Sequence, residues 1–128
     1  MTDATKERYL CRALAAFGVI FIIGLPLMMW LWPSAWTWEP RQTEYEQMIM
    51  GIYATLGVFL LIASRNPPAH TTLIWFTVWS SLVHAMIMLV QAFLDPSEHA
   101  NLLGDIPGLF LVAIVLAALM PSRRAIRA

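Results

Sequence analysis

The chain has 128 residues, of which 59% are hydrophobic and only 12% charged, with no net formal charge and a mean hydropathy of +0.67. Soluble domains carry about a quarter charged residues, so this composition excludes a water-soluble enzyme domain, and the charge balance gives a polyanion nothing to bind. A lone cysteine, Cys11, excludes an intrachain disulfide.

Nearly the whole length is consumed by apolar stretches, which makes residues 1–128 a single integral membrane domain with spans at about 10–32, 44–64, 69–94 and 105–120. The opening MTDATKERYLCR is polar and basic, and an uncharged run follows from Ala13 to Trp32. That run is longer than the apolar core of a cleavable leader and ends in bulky residues, so it is predicted as a retained first helix. Pro26 is expected to kink it and free the carbonyl of Ile22. Trp30, Trp32, Trp36 and Trp38 follow, where an interfacial aromatic belt is expected.

Thr43 reads as the N-cap of the second helix, with Glu44 and Glu46 as first-turn acids. Gly51 and Thr55, with Ala54 and Gly57 nearby, predict a smooth face for close helix contact. Arg65-Asn66-Pro67-Pro68 cannot continue a helix, so the second and third helices are expected to form a transmembrane hairpin. Along the third helix Thr77, Ser81, His84, Met88 and Gln91 recur at steps of three and four, a stripe that should face the bundle interior. Asp95 to Gly108 reads as a loop, with Asp105 capping the fourth helix, Pro107 in its first turn, Ala113 and Ala117 as a small packing face, and Pro121 as its stop. No internal repeat or low-complexity segment appears.

With four spans both termini share a side, which receives Lys6, Arg8, Arg12, Arg65, Arg123, Arg124 and Arg127 and leaves only Arg41 opposite. The expected fold is therefore an all-α, four-helix transmembrane bundle with N and C termini cytoplasmic.

The strings PLMMWLWPSAWTWEP, EYEQMIMGIYATLGVFLLIASRNPPAH, IWFTVWSSLVH and LLGDIPG cover most of the chain. Through them it resembles the BphX-like proteins, small four-helix membrane proteins named for a member encoded among biphenyl-degradation genes. The resemblance implies a bacterial inner (plasma) membrane protein linked to aromatic-compound metabolism, and it carries no catalytic residue to transfer. The small multidrug transporters also have four short helices, but their membrane-embedded glutamate lies in the first helix, which is uncharged here.

If the bundle holds a site, its members are the polar groups of one half. Glu46 and Gln91 share a depth, Tyr53 pairs in depth with His84, and Met28, Met29, Met48, Met50, Met86 and Met88 lie in the same half. One reading is structural: Tyr53 and Glu46 or Gln91 satisfy His84 and fix helix register. A second is a pocket for an apolar or aromatic small molecule, with Trp75, Trp79 and methionines as its floor and His84 and Glu46 orienting a polar substituent.

A third reading is copper(I) on His84 and Met88, or haem. The chain has no HxxxH or CxxC spacing, and His70 and His99 fall at loop ends on opposite sides. No metal or cofactor is expected. Ser80 and Ser81 lie near His84 but lack a glycine-rich elbow, and no nucleotide-binding motif is present, so no catalytic residue is assigned. The expected partners are the lipid bilayer, a small apolar compound that is bound or passed, and not nucleic acid. The alternative is an accessory subunit of a larger membrane complex, or a homo-oligomer.

Overall fold

The computed structural model describes residues 1–121. Arg123, Arg124 and Arg127, on which part of the charge asymmetry rests, lie outside the described residues. Among those described, every regular element is helical.

Helix α1 (Asp3–Val19) starts well before the apolar run, because the Thr2 side chain accepts the Thr5 N–H and caps it. It runs without interruption through a widened π turn at Ile20–Gly24 into α2 (Leu25–Leu31). In that turn the Leu25 N–H reaches back to the Ile20 carbonyl, five residues away. The expected proline break is thus absorbed by a wider turn just ahead of Pro26, which has no N–H to contribute.

A single turn, α3 (Pro33–Trp36), and an irregular stretch to Gln42 form a strap leading to α4 (Thr43–Ala63). The N-cap of α4 is Gln42 and makes no side-chain capping bond, so Thr43 is the first helical residue and not the cap. After a 3₁₀ turn at Pro67–His70 comes α5 (Thr71–Leu94). The expected loop beyond Asp95 is another 3₁₀ segment, Pro96–Leu103. Asp95 caps it by accepting the Ser97 hydroxyl at 2.7 Å and the Ser97 N–H at 3.0 Å, and these bonds hold its carboxyl below the usual range. The last described helix is α6 (Asp105–Leu119), preceded by Gly104.

Asp3–Leu31, Thr43–Ala63 and Pro67–Leu94 are each long and apolar enough to cross a membrane. Fifteen residues of α6 rise roughly 22 Å at 1.5 Å each, short of a full span. Joined to Pro96–Leu103 across a bend of 40°, it makes a fourth candidate. Large apolar side chains such as Phe76 (61% exposed) and Ile114 (64%) point away from the interior. On a soluble protein such faces would be sticky; against acyl chains they cost nothing.

Packing pairs α1 with α4 and α5 with α6, while α1 also touches α6. The second and third spans, expected as a packed hairpin, meet sparingly along their length. The reason lies on α1. At Gly18 and Gly57 the two backbones approach so closely that a Cβ on Gly57 would sit 2.6 Å from the Gly18 carbonyl oxygen, and one on Gly18 would sit 2.8 Å from that of Gly57. The small face of α4 is therefore centred on Gly57 and committed to α1. Gly51, expected to share that contact, has nothing within 4 Å of its Cβ position. One core cluster, including Leu10, Leu14, Phe17, Leu60, Ile74 and Leu116, fills the half near the N-terminus. A smaller one, Ala85, Met88, Ala92, Ile106 and Leu109, joins α5 to α6 near the strap.

Gly57→Ala is expected to lower stability by about 1–3 kcal/mol, the usual range for overpacking. Gly51→Ala, in open space within the same helix, is expected to be neutral or to gain up to about 1 kcal/mol from helix propensity. Thermal unfolding of the two variants in one detergent checks the contrast, and equal effects would refute the close approach at Gly57.

Candidate functional site

Because α4 is drawn to α1 and α5 to α6, the bundle is left open between α4 and α5 at the strap end. The space is a cavity of about 540 Å³, within the size range of small-molecule sites. Helix α1 and its continuation contribute Phe17, Phe21, Leu25 and Met29; α4 contributes Glu46, Met50 and Tyr53 at helical spacing; α5 contributes His84, Met88 and Gln91; and α6 contributes Asp105, Leu109 and Val112.

At the narrow end Tyr53 Oη and His84 Nδ1 are hydrogen-bonded at 2.6 Å, the direction depending on the imidazole tautomer. This bond bridges α4 and α5 where they otherwise diverge. Phe21 stands edge-on to Tyr53 with ring centroids 5.1 Å apart, and Tyr53 packs against both core clusters. Neither Glu46 nor Gln91 completes the His84 pairing. Glu46 Oε2 accepts from Arg41 Nε at 3.2 Å, while its Oε1 is buried with no partner. Gln91 lines the cavity without a side-chain hydrogen bond. The Ser80 hydroxyl donates to the Thr77 carbonyl, so no serine–histidine pair is assembled there.

The strap roofs the cavity. Trp38 Nε1 donates to Asp105 Oδ2 at 2.9 Å, and the fully buried Asn101 donates from Nδ2 to the Thr37 carbonyl at 3.0 Å and to Asp105 Oδ1 at 3.3 Å. The Glu39 N–H is bound by the buried Glu98 carboxylate. Gly104 lets Ala35 settle directly on the chain, since a Cβ there would lie 2.2 Å from the Ala35 carbonyl oxygen. Asp105 was expected as an N-cap; its carboxylate instead ties strap to helix.

Five of the expected site residues, Glu46, Tyr53, His84, Met88 and Gln91, line this one space. Trp75 and Trp79, expected as its floor, do not: they are 39% and 60% exposed on the outer side of α5. At about 100° per residue, Trp79 lies some 160° around the helix from both Thr77 and Ser81, which are buried. That angle was available in the sequence. The aromatic wall comes instead from Trp36 and Trp38, which were expected in the interfacial belt; Trp36 Nε1 is buried without a partner. Of the six clustered methionines, Met29, Met50 and Met88 reach the cavity, whereas Met48 and Met86 are exposed. No group of three or more His, Cys, Asp or Glu side chains is placed to hold a metal ion among the described residues.

These features define an all-helical protein with three to four helices long and apolar enough to cross a membrane, enclosing an apolar cavity with a few polar groups on its wall. Residues 4–127 match the model described as "Family of unknown function (DUF6632)", and the chain belongs to that family. The match does not link it to the BphX-like proteins. No curated protein and no solved structure matches the chain.

Asn101→Ala removes both donated bonds that hold the strap and is expected to cost about 1–3 kcal/mol. Hydrogen exchange should show it as faster exchange over residues 32–42 with α4 and α5 unchanged. Uniform acceleration across the chain would mean that Asn101 supports the whole fold and not the roof.

Proposed function

We propose that this is a polytopic membrane protein that holds a small, largely apolar aromatic compound in the cavity between α4 and α5, with the polar wall groups orienting one substituent. The observation that carries this is the cavity itself: about 540 Å³, walled by aromatic, aliphatic and thioether side chains, with buried Trp36 Nε1 and Glu46 Oε1 lacking partners inside the protein. Buried polar atoms without partners are costly, so a ligand that satisfies them gains affinity. Several aromatic faces on the walls suit a ring, and sulfur from Met29, Met50 and Met88 adapts to its outline. The likeness to the BphX-like proteins points in the same direction, towards aromatic compounds.

The arrangement in the membrane is part of the same proposal: four spans, the last of them Pro96–Leu103 with α6, and both termini cytoplasmic. Support comes from the charges, with Lys6, Arg8 and Arg12 at the N-terminal end of the first span and Arg65 in the turn between the second and third, against Arg41 alone in the strap. The cavity then opens near the outer leaflet.

In lipid nanodiscs, 2-naphthol is expected to bind saturably, at one per chain above its partition into empty discs. Met50→Trp, which fills the space, should weaken this at least about tenfold, and His84→Ala, which removes one polar wall group, about three- to tenfold. Equilibrium dialysis measures both, and uptake no greater than that of empty discs would exclude this function. For the topology, green fluorescent protein fused to either terminus is expected to fluoresce, while alkaline phosphatase fused to either terminus stays inactive. The opposite pattern at one end alone would reduce the spans to three.

A further inference from the structure

The chemistry of the cavity wall narrows the compound further. Its titratable lining groups include two carboxylates, Glu46 and Asp105, and it has no lysine or arginine among the described residues. Arg41 compensates Glu46 from the strap side through Oε2, leaving Oε1 buried and free to accept. Among the described residues no cation pairs with Asp105: Trp38 and Asn101, its two side-chain donors there, are neutral. Trp36, Trp38 and Tyr45 line the same space, and aromatic rings attract a cation through their faces.

We propose that the ligand is a lipophilic amine: an aromatic body that fills the apolar space and a protonated amino group that binds between the Glu46 and Asp105 ends of the wall. This rests on the cavity being a ligand site, as argued above. An ammonium supplies donors to the unpaired Glu46 Oε1 and the positive charge that Asp105 lacks. An anionic ligand would meet two carboxylates, with Arg41 already paired to Glu46, and a plain hydrocarbon would leave Oε1 buried and unpaired. Trp36 Nε1, the unpaired donor, is open to a hydroxyl or ether oxygen on the same molecule and does not select for charge.

Three naphthalenes of nearly equal size separate the outcomes. In nanodiscs of neutral lipid at pH 7, 2-(1-naphthyl)ethylamine is expected to bind at least about tenfold more tightly than the neutral 1-propylnaphthalene, with 3-(1-naphthyl)propanoate weakest, each corrected for partition into empty discs. Glu46→Gln, which keeps shape and removes charge, should reduce the amine's advantage over 1-propylnaphthalene at least about threefold. Equal binding of amine and hydrocarbon overturns the amine assignment and leaves the cavity as an aromatic site. So does an equal loss of both ligands in Glu46→Gln, which would make this carboxylate a support of the wall and not its charge. Absence of binding by all three compounds, together with 2-naphthol, removes the cavity function itself.

Discussion

Two helices in this protein touch through bare backbone, and the rest of the architecture follows from that contact. With no side chain at Gly18 or Gly57, α1 and α4 come within reach of each other's carbonyl oxygens. A helix has only so much face to give, and α4 spends its face on α1. Helix α5, which follows it in sequence, turns to α6 instead. The interior is thereby divided into two pairs that are tight towards the N-terminus and diverge towards the strap. Close packing would ordinarily fill such a gap. Here the Tyr53–His84 bond bridges the gap and the strap covers it.

The roof follows the same physics on the polar side. In an interior with few waters, each polar group must find a partner within the protein. The strap meets this requirement through Asn101 and Asp105, which between them bind the Thr37 carbonyl and the Trp38 indole. Glycine at 104 brings the chain close enough for these bonds to form. Among the described residues the accounting is incomplete at three atoms: Trp36 Nε1 and Glu46 Oε1, whose residues line the cavity, and Asn101 Oδ1, which lies in the roof. That two of the three belong to residues bordering one empty space is the physical basis for treating that space as a ligand site and not as a packing defect.

The outer surface makes a complementary statement. Phe76, Trp79 and Val90 on α5 and Leu111 and Ile114 on α6 are exposed. Four of the seven buried positions of α5 are instead small or polar, Thr77, Ser81, Ala85 and Ala92, beside Ile74, Val78 and Met88. This inverts the soluble pattern, as expected when the solvent is at least as apolar as the core. The same inversion weakens hydrophobic periodicity as a guide to which face is inside.

Composition and the positions of Pro, Gly and charge were enough to determine an all-helical chain, its apolar stretches and, through the depth of residues along them, the pairing of Tyr53 with His84. Helical spacing also brought Glu46, Met88 and Gln91 to the same end. The packing partner of α4 was decided only in three dimensions, because Gly51, Ala54 and Gly57 are all small and only Gly57 meets another glycine 39 residues earlier. The aromatic wall was decided there too. Trp36 and Trp38 read locally as interfacial anchors, and the strap that carries them is held by side chains more than sixty residues downstream: Asp105 accepts from the Trp38 indole and Asn101 donates to the Thr37 carbonyl. Periodicity reports which residues share a face; which face meets which is set by contacts distant in sequence.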